Sequence, residues 1–334
     1  MTDSTAAPVR WGILGAASIN AAMAPAIGNA RNARLVAIAS RTAEKAAAAA
    51  EQYSAERAVT GYDALLADPE IEAVYIPLPN AFHEEWVLRA AAAGKHVLCE
   101  KPMAITADSA RAMIETCESA GVLLAEAYMY AHHSRYDRVK EIIGSGEIGT
   151  VRSIVTTFCF DASGELDHSL FQGMPGSGST YDIGGYAIHS ARQILGREPI
   201  AVTANAVESA LHGDIDMSVS ALVEFGDGAD LLFHIDMAAA DTDRIEILGT
   251  KGRILIPHAF ICSPEDGDFT VTVDEISRVE VADTLDHYVS QVERFSSAVR
   301  GEGDLRYDRD DPINIATALE ATIASWKSHT RVTL

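Results

Sequence analysis

The sequence predicts an α/β domain with a doubly wound parallel sheet, followed by an α+β domain on a largely antiparallel, open-faced sheet. Three observations favour this class. The 334 residues exceed one ordinary core, strand and helix patterns alternate up to about residue 128, and later strands follow one another with few helices between them. The predicted domains are residues 1–128 and 129–334. The sequence leaves open whether the helices near 311–334 pack back on the first domain.

Apolar runs in the first domain are followed by helical patterns. The predicted strands lie in "VRWGILGAAS", "ARLVAIASR", "IEAVYIPLPN", "HVLC" and "VLLAEAYMY". Thr42 is a predicted N-cap, and Gly94 and Gly121 are predicted helix stops. Continuous apolar strands that alternate with helices are typical of a parallel sheet with both faces covered, and right-handed crossovers make it doubly wound.

Strands dominate the second domain. They are predicted in "TVRSIVTTFCF", "IAVTANAVES", "MSVSALVEF", "ADLLFHIDMA", "DRIEILGTKGRILIP" and "FTVTVDEI". Gly-Asp and Lys-Gly pairs mark the turns. One helix is predicted over roughly 180–195, and two more over 286–300 and 311–327, the last with Pro312 at its start.

Composition excludes several classes of function. The chain has 26 basic and 48 acidic residues and a formal charge of -22, which disfavours nucleic acid and anionic membranes as partners. No run reaches the roughly 18 apolar residues of a membrane helix, and the polar start lacks the pattern of a signal peptide. The four cysteines show no CxxC or metal spacing. We therefore expect reduced, buried thiols, no metal site and a cytoplasmic location.

The loop from Gly12 to Ser18 is a candidate phosphate site. Gly15 is placed for a tight turn, Ala17 stands where a second glycine is common, and Asn20 occupies the third position of the dinucleotide pattern. The pattern alone is equally compatible with an ordinary tight turn. Its place directly after the first strand of a βαβ series favours binding of a pyrophosphate at the helix N-terminus.

The second strand ends in Ser40 and Arg41, where an NAD site tends to have an acidic residue. A guanidinium at this position suits a 2′-phosphate, so the sequence favours NADP(H) over NAD(H). The alternative is an exposed arginine at a helix start. The helix dipole disfavours a cation there, which supports the functional interpretation.

Glu100, Lys101 and Pro102 directly follow a buried strand. The carboxyl ends of parallel strands border the crevice in which such sheets bind ligands. Pro102 restricts the backbone of Lys101, whose ammonium is then a candidate electrostatic partner for a reacting group. The alternative is a surface lysine at the end of a strand.

The segment "STYDIGGYAIHS" contains the candidate partner. Asp182 and Tyr186 lie four residues apart and share a face of a predicted helix, with His189 three residues further on. A phenol has an ordinary pKa of about 10, and a nearby ammonium lowers such a pKa by roughly 1 to 3 units. Tyr186 is thus a candidate proton donor and acceptor beside Lys101. Alternatively, Tyr186 is a core aromatic, Asp182 a helix cap and His189 a buried structural histidine, the interpretation we favour for His189.

The chain resembles the glucose–fructose oxidoreductase, inositol dehydrogenase and MocA (Gfo/Idh/MocA) family. The matching segments are "GILGAASI", "SRTAEKA", "YIPLPNAFHEEWVLRAAAAGKHVLCEKPMA", "EAYMYAHH", "IGTVRS" and "YDIGGYAIHSARQILG". The resemblance implies catalysis by Lys101, Asp182 and Tyr186. Tyrosine at the last position, instead of histidine, is similar to the branch of dihydrodiol and xylose dehydrogenases and sugar 3-ketoreductases. The resemblance also implies an open-faced sheet that forms dimers or tetramers.

In this family the loop "PLPNAFH" borders the nicotinamide. For His83, helix capping and a cofactor contact are equally open. Tyr128 and Tyr130 alternate on a predicted strand, so at most one of them faces the site. The role of His132 is open. The predicted cofactor-binding residues are Gly12, Gly15, Ala16, Ala17, Ser18, Ile19, Ser40, Arg41, Lys45, Pro77, Leu78, Pro79, Asn80, His83, Glu100 and Lys101.

The predicted function is NADP(H)-dependent hydride transfer to or from a carbon of a sugar or polyol. One alternative is a reductase of ketosugars, with or without a linked nucleotide, for which Arg135, Arg138, Arg152 and Arg192 are available basic residues. Two others are a non-catalytic NADP-binding regulator and a structural protein with a decayed cofactor site. The presence of both Lys101 and Tyr186 weighs against the regulator, and Gly15 and Arg41 weigh against the decayed site.

Overall fold

The computed structural model describes residues 7–164, 173–212 and 215–334. The chain forms two compact units. The first contains Met1–Ala104, Asp108–His132 and Asp286–Pro312, and the second contains Ile105–Ala107, His133–Leu285 and Ile313–Leu334. The C-terminal segment that returns to the first unit is thus 286–312, whereas 313–334 belong to the second unit.

Helices occur in both units of the described chain. Their bounds are α1 Asn20–Asn29, α2 Ala43–Gln52, α3 Tyr62–Leu66, α4 His83–Ala92, α5 Ala107–Ala120, α6 Arg135–Gly144, α7 Gly185–Leu195, α8 His287–Val299 and α9 Asp311–Ser328. Local signals explain several ends. Thr42 accepts a hydrogen bond from the Lys45 N–H at 3.3 Å and caps α2, and Asp286 caps α8. Gly94 and Gly121, both at φ +70°, follow the ends of α4 and α5.

A parallel six-stranded sheet forms the centre of the first unit. Its strands are β1 Val9–Leu14, β2 Ala33–Ser40, β3 Arg57–Thr60, β4 Ala73–Ile76, β5 His96–Cys99 and β6 Leu124–Glu126. Their order in the sheet is β3-β2-β1-β4-β5-β6. This is the order of a doubly wound Rossmann sheet, and it confirms the predicted class of the first domain.

Helix α8 completes the core of the first unit although it lies far along the chain. The rings of Trp11 on β1 and Phe295 on α8 are 5.2 Å apart, and the Trp11 indole N–H donates to Ser296 Oγ at 3.1 Å. Both aromatic side chains are buried. The free energy gained by burying these apolar rings stabilises α8 on the sheet.

The second unit is built on a nine-stranded sheet. Its strands are β7 Val151–Asp161, β8 Ala201–Ser209, β9 Ile215–Glu224, β10 Asp230–Asp236, β11 Ala238–Gly249, β12 Gly252–Pro257, β13 Phe269–Val273, β14 Ile276–Glu280 and β15 Val332–Thr333, in the order β14-β13-β12-β11-β7-β10-β9-β8-β15. β7 and β10 pair in parallel, and the other neighbours are antiparallel. The predicted, largely antiparallel sheet is confirmed, with one parallel pair at its centre.

The packing of α7 places the candidate catalytic residues of the second unit. Helix α7 contacts β7 and β10. A Cβ atom on Gly184, just before α7, would lie 3.2 Å from Ile235 Cδ1 of β10 and 3.8 Å from Leu319 Cδ2 of α9. The glycine at this position therefore lets the start of the helix approach the sheet closely.

Candidate functional site

The loop between β1 and α1 has free donors for an anion. Gly15 has φ +137°, a conformation that residues with a Cβ rarely adopt. Within the described residues, the main-chain N–H groups of residues 16–19 make no hydrogen bond. They lie at the N-terminus of α1, where unpaired N–H groups and the helix dipole favour an anion. This loop therefore fits a dinucleotide pyrophosphate.

Gly12 was predicted to lie in the phosphate-binding loop, but the structure places it in a strand. It lies inside β1 and is buried, and a Cβ there would come within 2.7 Å of Leu65 Cδ2 on α3. Its small size is needed for packing. Asn20, at the third position of the glycine pattern, is also buried, and its side-chain amide donates to the Gly15 carbonyl at 2.8 Å. The asparagine thus holds the turn closed from the first residue of α1.

Basic side chains are available where β2 ends. Ser40 is buried, whereas Arg41 and Lys45 are exposed and make no side-chain hydrogen bond or ion pair with the part of the chain that the structure describes. Burial raises the pKa of Tyr62, and the charge of Arg41 opposes this shift, which indicates that the two side chains are near each other. Arg41 and Lys45 have the charge and freedom needed to bind a phosphate group.

His83 joins two segments of the predicted site. Its ring is fully buried, with Nδ1 2.9 Å from the Pro102 carbonyl oxygen and Nε2 2.7 Å from the Leu78 carbonyl oxygen. Burial lowers the pKa of His83, so the ring is neutral at pH 7 and donates a hydrogen bond to one of the two carbonyls, from the nitrogen that carries the proton. His83 begins α4, but its side chain does not cap the helix, which excludes the capping interpretation.

The predicted loop 77–80 lies directly after β4. Pro77 is buried, whereas Leu78, Pro79 and Asn80 are half-buried. The Pro79 carbonyl accepts a hydrogen bond from the Phe82 N–H at 2.8 Å in a short 3₁₀ turn. Because β4 and β5 are neighbours, this loop and the segment after β5 leave the same edge of the sheet.

Glu100 fixes the segment that contains Lys101. Glu100 directly follows β5, and its carboxylate accepts the Tyr75 hydroxyl at 2.5 Å and the Lys101 N–H at 3.1 Å. The Lys101–Pro102 peptide bond is cis. Sequence reasoning missed Tyr75, although a tyrosine inside the apolar run of β4 is a signal, because a buried phenol usually has a hydrogen-bond partner.

Asp182 and Tyr186 lie on either side of a change in helix type. Thr180–Gly184 form a π-helical turn, and α7 begins at Gly185. The predicted helix over 180–195 is therefore present, but its first turn is wider than an α-helical turn. Such π turns are rare and occur often at functional sites.

Asp216 on β9 anchors the start of this helix. Its Oδ2 atom accepts hydrogen bonds from Ser179 Oγ at 2.9 Å, from the Thr180 N–H at 2.6 Å and from Thr180 Oγ1 at 2.7 Å. Gly178, at φ +102°, approaches this carboxylate so closely that a Cβ would collide with it. A buried carboxylate at a helix N-terminus satisfies free N–H groups and complements the dipole. Sequence reasoning missed this anchor.

Tyr186 lies in an aromatic cluster and is only 5% exposed. Its ring centroid is 5.4 Å from that of Phe158 on β7 and 5.2 Å from that of Phe260. The core-aromatic interpretation and the catalytic one are both compatible with burial of the ring, since a proton donor needs only its hydroxyl at the site. His189 is also fully buried.

The structure differs from the prediction for Tyr128 and Tyr130. Strand β6 ends at Glu126, and Tyr130 lies in a 3₁₀ turn, Met129–His132, so the expected strand alternation is absent. Both tyrosines are buried, and their rings meet edge to face at 6.3 Å. The ring of His132 lies 6.3 Å from that of Tyr307. Through these contacts, the side chains of Tyr128, Tyr130 and His132 pack against other residues of the first unit.

The four arginines that the sequence offered as ligands for a substrate diphosphate mostly bind groups within the chain. Arg135 is buried and donates to main-chain carbonyls of residues 257–259, and Arg192 is buried and pairs with Glu198. Arg138 is exposed and pairs with Glu280 and Glu141. Arg152, also exposed, lies beside Gly228. Three of the four arginines thus already bind groups within the chain.

Residues 7–164, 173–212 and 215–334 contain neither a membrane-spanning helix nor a cluster of metal ligands. None of their helices is both long and apolar enough to cross a bilayer. These residues also contain no cluster of three or more His, Cys, Asp or Glu side chains that could hold a metal ion. All four cysteines are free thiols, buried at positions 99, 117 and 159 and half-buried at 262.

Comparison with known proteins decides the family. The family model described as an oxidoreductase family with an NAD-binding Rossmann fold matches residues 9–128, and the model of the GFO/IDH/MocA C-terminal domain matches residues 136–255. The chain belongs to the Gfo/Idh/MocA oxidoreductase family. This membership confirms the resemblance inferred from the sequence motifs.

Several Gfo/Idh/MocA proteins are similar over most of the chain. A D-xylose 1-dehydrogenase (NADP(+)) from Haloferax volcanii is 35% identical over 97% of this chain and 99% of the relative. A dTDP-3,4-didehydro-2,6-dideoxy-α-D-glucose 3-reductase from Streptomyces violaceoruber is 35% identical over 90% and 87%. The crystal structure of a 3-ketoreductase from Actinomadura kijaniata with NADP and TDP-benzene is 28% identical over 95% and 98%, with a TM-score of 0.89. Sugar dehydrogenases and ketoreductases are thus among the relatives of this Gfo/Idh/MocA chain.

Proposed function

We propose that the protein is an NADP(H)-dependent oxidoreductase that transfers a hydride between the nicotinamide and a carbinol or carbonyl carbon of a sugar or polyol. The observation that carries the proposal is the presence, in a member of this oxidoreductase family, of a lysine fixed at the end of β5 and a tyrosine at the start of α7. These are the residue types that the family pattern requires at Lys101 and Tyr186. A decayed enzyme would have no need to retain both.

The preference for NADP(H) is supported at the end of β2. Arg41 and Lys45 are exposed and have no partner among the described side chains, so both are available to a 2′-phosphate. The strand ends in Ser40, and no carboxylate stands there to repel the phosphate. The free N–H groups of residues 16–19 would hold the pyrophosphate. The naming of NADP for both the H. volcanii dehydrogenase and the A. kijaniata ketoreductase agrees with this assignment.

In the proposed mechanism, Tyr186 takes the substrate hydroxyl proton during oxidation and returns it during reduction. The bound cofactor supplies the hydride acceptor or donor. The ammonium of Lys101 stabilises the phenolate form of Tyr186, and Asp182 orients the lysine or a substrate hydroxyl. Glu100 holds the backbone of Lys101 through the 3.1 Å hydrogen bond, and Tyr75 holds Glu100. Phe158 and Phe260 pack against the Tyr186 ring and exclude water from the parts of the ring that they cover.

A second candidate is reduction of a ketosugar linked to a nucleotide. Relatives named as dTDP-sugar 3-reductases support it at the same 35% identity as the xylose dehydrogenase. The engagement of Arg135, Arg138 and Arg192 within the chain weighs against a diphosphate bound by those three residues. A free sugar or polyol is therefore the preferred substrate class.

A substrate panel separates these candidates. Absorbance at the NADPH band should be followed with aldoses, inositols, dihydrodiols, free ketosugars and dTDP-ketosugars, each with NADP(H) and with NAD(H). Turnover of a free sugar or polyol supports the proposal, and turnover of dTDP-ketosugars alone supports the second candidate. Tight NADPH binding without turnover of any member would favour the non-catalytic regulator.

Replacing Tyr186→Phe tests the assigned proton donor. Turnover should fall by about 10²-fold or more, the usual contribution of a general acid or base, while NADPH affinity should stay within twofold. Tyr181→Phe is the control, because it removes a phenol hydroxyl one turn earlier that donates to the Ile105 carbonyl at 3.1 Å. Full turnover by Tyr186→Phe would overturn the mechanism.

The open face of the nine-stranded sheet is the proposed surface for a homodimer or homotetramer. Leu222, Leu232 and Leu255 are 37%, 44% and 37% exposed on this sheet. Leu222 and Leu232 lie opposite each other on the adjacent strands β9 and β10, and contiguous exposed apolar side chains are typical of an interface. Leu232→Glu should shift the mass measured by sedimentation equilibrium to that of the monomer. An unchanged mass would exclude this face as the interface.

A further inference from the structure

A turn after β12 is held by several hydrogen bonds from the start of α6. Arg135, the first residue of α6, is buried, and one of its terminal nitrogens donates to the carbonyls of His258 at 2.5 Å and Ala259 at 2.7 Å. The Tyr136 hydroxyl donates to the same Ala259 carbonyl at 2.6 Å. A buried guanidinium is costly unless its N–H groups are bonded, so these contacts bind Arg135 firmly to the turn.

Asp243 on β11 holds the other side of the same turn. Both carboxylate oxygens lie 3.0 Å from the Phe260 N–H, and Oδ2 also accepts the Ile261 N–H at 2.7 Å. Burial raises the pKa of Asp243, whereas these N–H groups and the charge of Arg135 lower it. The turn 257–261 is therefore held by a cation on its carbonyls and an anion on its N–H groups.

The side chain at the centre of this turn packs on the proposed proton donor. Phe260 is fully buried, and its ring centroid lies 5.2 Å from the rings of both Tyr186 and Phe158. Phe158 is directly opposite Asp243 in the β7–β11 pairing. The carboxylate that fixes the turn is thus also in register with the second ring that contacts Tyr186.

We propose that Asp243 and Arg135 are positioning residues for Tyr186, which fix turn 257–261 so that Phe260 holds the phenol ring in one orientation. The inference rests on the proposed function, because it gives the turn a role in catalysis by Tyr186. A rotation of the ring displaces the hydroxyl at its end, and a misplacement of about 1 Å at a reacting group costs roughly 10²-fold in rate. The cofactor residues lie in the other unit, so their affinity for NADP(H) should not change.

The test compares Asp243→Asn and Phe260→Leu with the control Asp241→Asn. Asp241 is exposed on the same strand, so its replacement changes the same charge away from the turn. Asn at position 243 replaces a hydrogen-bond acceptor by an amide N–H, which faces the N–H groups of the turn and cannot bond to them. Leu at position 260 keeps most of the apolar volume but removes the aromatic ring that packs on Tyr186. We expect kcat for the best sugar of the panel to fall about 10- to 100-fold in both variants, with KM and NADPH affinity within about threefold. The control should match wild type.

The pH profile separates positioning from a structural defect. In Asp243→Asn and Phe260→Leu, the pH at which kcat reaches half its maximum should shift, because the surroundings of the Tyr186 hydroxyl change. A loss of folded protein would lower kcat at every pH without moving the profile. If Asp243→Asn does not fold, as judged by circular dichroism, Phe260→Leu decides.

Two outcomes separate this inference from the proposed function. If Phe260→Leu keeps kcat and pH profile within twofold of wild type while Tyr186→Phe has lost turnover, the positioning role is overturned and the proposed function stands. If Tyr186→Phe itself turns over normally, the proposed function falls, and the positioning role falls with it.

Discussion

The hydroxyl of Tyr75 donates a 2.5 Å hydrogen bond to Glu100. The two residues belong to neighbouring strands, because Tyr75 lies on β4 and Glu100 directly follows β5. The carboxylate also accepts the Lys101 N–H, so the phenol determines the direction of the backbone that presents the lysine. A buried tyrosine in the core thereby controls a polar segment at the edge of the sheet.

Replacing Tyr75→Phe should lower turnover without unfolding the protein. The change removes one buried charge-assisted hydrogen bond and leaves Glu100 free to move, which weakens the placement of Lys101. We expect a loss of about 10- to 100-fold in kcat, in line with about 1.5 to 3 kcal/mol for a hydrogen bond to a charged group. Tyr53→Phe on the same unit is the matched control. Steady-state kinetics that match wild type in both variants would exclude this role for Tyr75.

Replacing Arg41→Ala should weaken NADP(H) far more than NAD(H). Hydrogen bonds to charged groups contribute about 1.5 to 3 kcal/mol, so the Kd for NADPH should rise about 10- to 100-fold while that for NADH changes little. Fluorescence titration measures both constants. Arg34→Ala is the control, because Arg34 lies on β2, which ends just before Arg41, and pairs with Glu56 at 3.1 Å. Equal losses for the two cofactors would refute the phosphate assignment.

Replacing His83→Ala should lower both stability and NADPH affinity. It removes the donor to one of the carbonyls of Leu78 and Pro102, a cost of about 1 to 3 kcal/mol. His83→Gln retains one donor and should recover part of the loss. Thermal unfolding and cofactor titration check both variants, and a His83→Ala protein that matches wild type in both assays would contradict the linking role.

The stability of wild type should also depend on pH through His83. Burial lowers the pKa of the folded-state ring below its ordinary value of about 6.5. The unfolded chain then binds the proton more readily, so the contribution is fully present above pH 6.5 and declines as the pH falls below it. In His83→Gln this part of the pH dependence should be absent. Urea unfolding between pH 5 and 8 measures the difference.

Replacing Glu72→Gln should destabilise the first unit above about pH 4.5 and have little effect in strong acid. The Arg300 guanidinium binds both oxygens of Glu72, at 2.9 and 2.8 Å, and lowers the pKa of this carboxyl below its usual value. The stabilisation is present above the unfolded pKa and is lost as the pH falls through the folded one. Glu51→Gln, an exposed change on α2, is the control. A difference in melting temperature that persists undiminished at pH 2 would contradict this linkage.

Local patterns were sufficient to predict the order of elements and the position of Lys101. The apolar runs, the Thr42 cap and the glycine stops act within a few residues, so the sequence alone determines them. The parallel sheet followed from their alternation. The segment Glu100–Pro102 was correctly placed at the end of a buried strand for the same reason.

The supports of the site could not be predicted because they come from distant residues. Asp216 binds Thr180 from 36 residues away, and Arg135 binds Ala259 from 124 residues away. Gly12 was assigned to the loop because its neighbours resemble the dinucleotide pattern, whereas the strand and the Leu65 side chain require its small size. The π turn before α7 likewise has no periodicity that a sequence pattern could reveal.

The return of residues 286–312 to the first unit has a consequence for synthesis on the ribosome. The nascent chain emerges from its N-terminus, so the partner of Trp11 on α8 is made only after all of 133–285 has been translated. Until the whole β-rich segment has left the exit tunnel, the parallel sheet lacks helix α8 on one of its faces. A fragment that ends at residue 132 lacks α8 for the same reason. The complete cofactor-binding unit therefore cannot be expressed as one continuous N-terminal fragment.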